Sequence, residues 1–461
     1  MYRYQLLVLG FIAIAFAGCA SYQAKPLTPE EIIREVEDSR EQVLLAPDEQ
    51  LTFGKTAAWM SDHSPLLKRL KTEYETLAAV ADIATPWSNP SIQIGPDYGS
   101  SLPAGASHKI QPFISLGFSI PIGDRLARRD DLNQAYANGA FIEVNITHRE
   151  LYLTLRKHYV ALYLAKRRDV VQKDIFSQVS QIAKLSRTLQ QAGVMTALDV
   201  GMMTLAASQA ELKLLRVNEE GAAIYSNISA FIGIEAKQFN ALPNNALGDI
   251  AIKPPTYEAL KALMVVHSPD LMRLRQQYDV AELKLRLAIS KQYPDISLGF
   301  QREEDVGENS TMLGLRIGLE LPVFDRNMQG ILQADRHRDE VRQSYVTTVH
   351  KILAELRRTL HAVVLSQQQK KLLDEILLPQ SKHNIMIAEQ ALKAGDIDAL
   401  KYLEVKRGQQ EVLKEVMQVQ SDLWQSWIAL EQTVGYPLLK LSGEDHSDYP
   451  SLSLNKEIKD E

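Results

Sequence analysis

The 461-residue chain has a single cysteine, Cys19, so no disulfide can form within it. Its longest apolar run, Leu6–Phe16, falls short of the ~20 residues that a membrane-spanning helix needs. There is no excess of positive charge: 51 basic against 57 acidic residues give a formal net charge of −6, which removes nucleic acid from the partners to consider. Hydrophobic residues at 45% and charged residues at 23% exclude both a disordered chain and a polytopic helical membrane protein. Catalytic signatures are missing as well. The chain contains no P-loop, no His-Glu-x-x-His and no Gly-x-Ser-x-Gly elbow. The ten histidines are scattered. His350 and His361 lie three helical turns apart, too far to share one ion. The expectation is a protein that is not an enzyme and that has no cofactor and no metal site.

What is there begins at the N-terminus. Arg3 precedes the short apolar run, which ends in Phe16-Ala17-Gly18-Cys19. This is the shape of a secretory signal. Small residues before the sole cysteine resemble the bacterial lipobox, although Phe16 stands where leucine is more usual. The reading is a lipoprotein signal peptide over 1–18, removed so that Cys19 becomes the acylated first residue (palmitate among its chains), followed by an anchor segment over 19–49. Ala20 after the cysteine, rather than Asp, points to the outer membrane.

The rest of the chain repeats itself. Ser64-Pro65-Leu66 recurs as Ser268-Pro269-Asp270-Leu271, and Asn89-Pro90-Ser91-Ile92 as Tyr293-Pro294-Asp295-Ile296. Ile120-Pro121-Ile122 recurs as Leu321-Pro322-Val323, Ala192-Gly193 as Ala394-Gly395, and Phe231-Ile232-Gly233 as Thr433-Val434-Gly435. Offsets of 201 to 204 residues separate the members of each pair, in one order along the chain. The chain is therefore a tandem duplication. Repeats over 50–235 and 257–436 are joined by a linker over 236–256 and followed by a polar C-terminal tail over 437–461. Each half reads helix, two strands, very long helix, tight turn, shorter helix. Residues 125–192 have no proline, which allows a helix ~100 Å long. In the second rod Val341, Tyr345, Val349, Ile352, Leu356, Leu360 and Val363 recur with spacings of 4, 4, 3, 4, 4 and 3. This 11-residue repeat keeps an apolar stripe nearly straight. The two shorter helices of each half, laid end to end, match the length of its rod.

Four segments alternate strictly between apolar and polar residues. Ile110, Ile114, Leu116, Phe118 and Ile120 share one face, with Gln111, Ser115, Gly117 and Ser119 on the other. Leu313, Leu315, Ile317, Leu319 and Leu321 alternate with Gly314, Arg316, Gly318 and Glu320. Ile296, Leu298 and Phe300 alternate with Ser297, Gly299 and Gln301, and Ile92 and Ile94 with Ser91 and Gln93. Such strands fit either a half-exposed soluble sheet or a membrane β-barrel with lipid outside and water inside. Four strands cannot close a barrel, so if they span a bilayer several copies must join.

The duplication, the hairpin before each rod, the Pro121-Ile122-Gly123 and Pro322-Val323-Phe324-Asp325 segments and the Ala-Gly turns together resemble the TolC-like outer membrane efflux family, from about Leu51 to Tyr436. The segments Gly123-Asp124-Arg125-Leu126-Ala127-Arg128 and Leu321–Asn327 resemble its heavy-metal cation efflux subgroup, which often has Lys where Asp124 stands. The resemblance implies a mainly α fold with a membrane β-barrel contribution. It implies a homotrimer that shares one twelve-stranded barrel set in outer membrane lipid above a periplasmic α-helical barrel. It also implies a periplasmic adaptor protein and an inner membrane efflux pump as partners, with solutes, heavy-metal cations among the candidates, leaving passively. The alternative is a long-helix periplasmic adaptor or scaffold lipoprotein without a pore.

Within that frame Arg316 and Glu320 are expected in the barrel lumen, and the turns at Gly193 and Gly395 at the periplasmic mouth. Asp199, Asp396, Asp398, Lys401 and Glu404 are expected to ring that mouth as a gate. Family members often carry acids six and nine residues after the second turn glycine. Glu404 fits this pattern and Lys401 reverses it, which makes Lys401 a candidate partner for the aspartates. The lipobox yields the first test. Mass spectrometry of the N-terminal peptide should find Cys19 first in the mature chain and acylated, and an unmodified Cys19 would refute the anchor.

Overall fold

The structure, a computed structural model, describes residues 22–41, 52–98, 110–233, 253–305, 310–441, 443–444 and 449–450. Cys19, the linker up to residue 252 and the chain after 450 lie outside the described residues. A short exposed helix, α1 (Pro29–Glu41), comes first. The first half then comprises α2 (Phe53–His63), α3 (Pro65–Ala81), β1 (Ser91–Tyr98), β2 (Ile110–Pro121), α4 (Arg125–Gln191) and α5 (Ala197–Ile232). The second repeats it with α6 (Tyr257–His267), α7 (Pro269–Ser290), β3 (Asp295–Asp305), β4 (Ser310–Leu319), α8 (Met328–Leu372), α9 (Leu378–Ala394) and α10 (Ala399–Val434). No described helix is both long and apolar enough to cross a membrane.

The rods are as long as the absence of proline allows. α4 runs unbroken for 67 residues, ~100 Å at 1.5 Å per residue. Its counterpart is interrupted once, by the five-residue π-turn Leu373–Leu377. Pro379 follows directly; it has no N–H to donate, and its ring displaces the carbonyl one turn back, so the helix widens there instead of breaking. The shorter helices break where the sequence repeats Ser-Pro. Ser64 and Ser268 both sit in extended backbone, ending one helix and capping the next with proline just inside it. The 11-residue stripe of α8 is the buried side of that helix: Val341, Ile352, Leu356 and Val363 are in the core, with Tyr345, Val349 and Leu360 packed against it.

Within each half the short helices line up beside the rod. α3 packs on α4 near the sheet and α5 on α4 farther away; α7 and α10 divide α8 in the same manner. The joints between them are specific. The indole N–H of Trp59 in α2 donates to the carbonyl of Ile232, the last residue of α5, at 3.2 Å. In the second half Gly435, in the left-handed region at φ +77°, lies so close to the carbonyl of His267 that a Cβ there would collide with it.

The core concentrates at this level, where the halves meet. Phe53, Met60, Tyr152, Leu155, Tyr159, Leu260, Met264, Leu356, Trp424 and Trp427 pack together around a buried charge. Arg156 of α4, fully buried, donates twice to Glu431 of α10 at 2.9 Å, once to the carbonyl of Leu439 at 2.7 Å, and to Glu444. Glu431 also accepts from the backbone N–H groups of Leu438 and Leu439, and Glu444 from Tyr152 and the N–H of Leu441. Burial alone would lower the basicity of Arg156, yet Glu431 and Glu444 raise its pKa above the usual arginine value. The segment read as a polar tail from 437 is therefore core where it is described. Leu439, Leu441 and Tyr449 are buried, and Arg149 donates to the carbonyl of Pro450 at 2.9 Å. Its polar composition misleads because Glu444 and the carbonyls of Leu439 and Pro450 face arginines of α4.

Removing one member of such a buried cluster leaves the others charged without a partner, at a cost of about 3–5 kcal/mol. Arg156→Met should therefore lower the denaturation midpoint of the detergent-solubilised protein strongly. Arg69→Ala, which breaks the exposed α3 pair with Glu73, should barely move it. Equal shifts would mean that the cluster does not hold the halves together.

Candidate functional site

The four strands form one antiparallel sheet in the order β1-β2-β3-β4, so chain order and spatial order agree and the two halves are joined at β2–β3. The register sets Ile92 opposite Leu116, Leu116 opposite Phe300, and Phe300 opposite Leu315. It likewise aligns Phe118, Leu298 and Ile317 in a row, and Ile120, Ile296 and Leu319. All these side chains share one face, and nothing among the described residues covers it. Leu313 is 83% exposed, Ile94 76% and Ile317 71%. The alternate residues make the opposite face: Ser91, Gly117, Gly299 and Arg316 in one row, Gln93, Ser115, Gln301 and Gly314 in the next, Ser119, Ser297 and Gly318 in a third. A soluble sheet of this composition would place its apolar face on a core; this one places it outside. Arg316 lies on the polar face, as expected. Glu320 falls one residue beyond β4, in the segment leaving the sheet. Side chains of Ile110 and Gln111 lie outside the described residues.

The end of the sheet nearest the helices carries exposed aromatic and apolar side chains: Trp87, Tyr293, Leu321, Val323 and Phe324. Here the chain passes from strand to rod by tight geometry. Gly123, at φ +82°, lies against the ring of Tyr293, and Arg125 at the start of α4 binds Asp295 of β3 at 2.7 Å. In the second half Asn327, the one described non-glycine residue with positive φ, makes the equivalent turn and donates to the carbonyl of Ala288 at 2.8 Å.

At the other end both rods stop at a glycine. Gly193 and Gly395 have φ of +74° and +81° with open space around them, as required where a helix ends in a left-handed residue. The five charged residues expected near the turns all lie at this end, but their contacts are local. Asp199 closes a capping box: Thr196 accepts from the Asp199 N–H, and the Asp199 carboxylate accepts from the Thr196 N–H at 3.1 Å. Asp398 caps α10, accepting from the N–H of Lys401 at 2.7 Å. Lys401 binds Glu404 of its own helix at 2.7 Å, a contact that raises its pKa. Within the protomer Lys401 is therefore joined to Glu404 and not to Asp199. Asp396 is exposed in the turn.

Sequence reasoning missed the neighbourhood just above. A groove of about 540 Å³ runs between α4, α5 and α10, floored by Ile175, Val179, Met202 and Leu205. Its rim carries Lys213, Arg407 and Lys414, with Glu411 joined to Lys414. Lys414 pushes the pKa of Lys213 down and that of Glu411 down. The signal was available: Arg407, Glu411 and Lys414 recur at helical spacing on one face of α10.

Comparison with known proteins agrees with this architecture. Residues 262–436 match the family model described as outer membrane efflux protein. The cobalt-zinc-cadmium resistance protein CzcC of Cupriavidus metallidurans is 24% identical over 218 residues, 47% of this chain. The match spans about half, 51%, of that relative's length. A membrane protein from Pseudomonas aeruginosa superposes with a TM-score of 0.67 at 16% identity, over 83% of this chain and 90% of its own. The channel protein CusC superposes with a TM-score of 0.65 at 13% identity, over 91% of this chain and 99% of its own. Residues 262–436, in the second half, thus match the outer membrane efflux protein family, and the duplicated helix–hairpin–rod fold is shared almost end to end with the solved structures.

Proposed function

We propose that the protein is the outer membrane channel of a tripartite efflux system. One observation carries this reading: the four-stranded sheet exposes an apolar face and a polar face, and both edges, β1 and β4, are open. An open edge in hydrocarbon leaves N–H and C=O groups unpaired at several kcal/mol each. Three copies remove the edges by pairing β4 of one with β1 of the next, which gives twelve strands around a polar lumen. The rods, each flanked by its end-to-end short helices, then form a wall of even height. Continued into the periplasm, it is the tunnel that meets an adaptor protein and an inner membrane pump. Cys19, acylated, anchors each subunit in the same membrane. The likeness to CzcC, a cobalt-zinc-cadmium resistance protein, favours metal efflux among the candidate cargoes. Charge on the lipid face tests the barrel. Leu315→Arg should cost ~2–4 kcal/mol per copy at the bilayer midplane and reduce the trimer recovered from outer membranes, whereas Gly314→Ser, on the lumen face, should leave it intact. Equal yields, or a monomer in detergent from the parent protein, would refute the shared barrel.

The tips serve as the gate in this reading. Threefold symmetry gathers three copies of Asp199, Asp396, Asp398, Lys401 and Glu404 about one axis. Their capping and in-helix contacts keep the first turns of α5 and α10 formed where the charges gather at the mouth. Moving those helices outward opens the mouth, with the adaptor favouring the open state. Asp199→Ala with Lys401→Ala removes the capping-box acid and the partner of Glu404 together. Single channels of this variant in planar bilayers should conduct more than the parent and respond less to salt and pH. Unchanged conductance would leave these residues as helix caps only.

A further inference from the structure

We infer that Arg316 sets the charge selectivity of the barrel, and that the lumen favours anionic solutes over bare cations. The inference rests on the shared barrel proposed above. Arg316 is exposed at mid-height on the polar face of β4. Its row across the sheet is Ser91, Gly117 and Gly299. Along its own strand Gly314 and Gly318 flank it on that face. With these four glycines around it, no described side chain of the row or of its own strand on this face shares the charge of the guanidinium. The adjoining rows contain only Gln93, Ser115 and Gln301 on one side, and Ser119 and Ser297 on the other.

Acids on this face of the described residues stand at the two ends. Glu303 is four residues outward of the row, and Asp295 and Glu320, the latter just past the end of β4, are four residues inward, each about 13 Å away along the strand. That exceeds the ~8 Å screening length at physiological salt. Asp295 is also engaged, by Arg125 and by the hydroxyl of Ser119. The contrast with Arg302 is informative. That arginine lies on the apolar face near the outer end and is joined to Glu304 at 2.6 Å. Arg316 has no ion-pair partner among the described residues. The strand that would close on β4, β1 of the next copy, offers Ser91, Gln93 and Gly95 on this face, with its one acid, Asp97, at the outer end.

In a trimer three such guanidinium groups face one axis at one level. A twelve-stranded wall at ordinary strand spacing and tilt is roughly 24 Å across, and long side chains narrow it. A ring of arginines at a constriction raises the local concentration of anions and lowers that of cations. A divalent metal ion leaving by this route would pass more readily within an anionic complex than bare.

The test is the reversal potential of single channels in planar bilayers across a potassium chloride gradient. Arg316→Gln should lower the chloride-to-potassium permeability ratio about twofold or more, and Arg316→Lys should keep the parent ratio. Arg316→Cys supplies the same comparison after insertion. A cationic thiol reagent should restore the parent ratio and an anionic one should lower it further. Open channels of Arg316→Gln and modified Arg316→Cys with the parent's reversal potential would overturn the assignment while leaving the channel intact. Absence of any conductance from the parent protein would overturn the channel reading, and this inference with it.

Discussion

The structure depends on the buried charge at Arg156. Two tandem halves of equal design have no intrinsic reason to stay in step along ~100 Å of helix, because a slide by one turn exchanges one set of apolar contacts for a similar one. Arg156 removes that freedom. It lies in the first half, and its carboxylates and carbonyl come from the last helix and the segment after it. A planar guanidinium satisfied on all sides has one register. The joints between stacked helices sit close by: Trp59 on Ile232 in one half, Gly435 against His267 in the other. The level at which each short helix ends is thus set by a charged cluster and two backbone contacts. Apolar packing fills the space around them.

A consequence is that the protomer is rigid where it is thick and incomplete where it is thin. Around Arg156 helices of both halves surround a core that includes two buried tryptophans. Toward the sheet the covering helices end, and both faces of the strands are exposed. Side chains at the open edges β1 and β4 cannot substitute for missing strands, since what an edge lacks is backbone partners. Completion by further copies, as proposed above, would satisfy those groups without any change in the protomer. The apolar face then needs only a solvent that is not water.

Much of this was legible in the sequence because it rests on periodicity and punctuation. Period-two alternation assigned residues of all four strands to the correct face. The absence of proline between 125 and 192 marked α4, and the repeated Ser-Pro and Ala-Gly pairs marked helix starts and ends. The 4, 4, 3 spacing picked out the buried side of α8. Residues that act through distant partners were not legible. Arg156 reads as one more charge on a rod, and Glu431 and Glu444 as solvated acids, because their meeting depends on a fold that brings together positions 275 and 288 residues apart. The same limit hid the role of residues 439–450. Lys213 was missed for a related reason: its neighbours Arg407 and Lys414 lie on another helix.

The tips show how a duplicated frame accommodates different chemistry. Thr196 and Asp398 are equivalent N-caps, and Asp199 and Lys401 equivalent third residues of the following helices. In α5 the acid stands at the third position, where it suits the positive end of the helix and returns a hydrogen bond to the cap. In α10 the third position is a lysine, which that end of a helix disfavours. The acid has moved to the cap itself, and Glu404 one turn on takes up the lysine charge. Both first turns are held, yet one presents a negative charge and the other a positive one at corresponding places. Two copies of one hairpin can therefore line a common mouth with opposite charges while each keeps its own helix start satisfied. Neither start draws on the other hairpin for its hydrogen bonds, so the hairpins can part without unravelling.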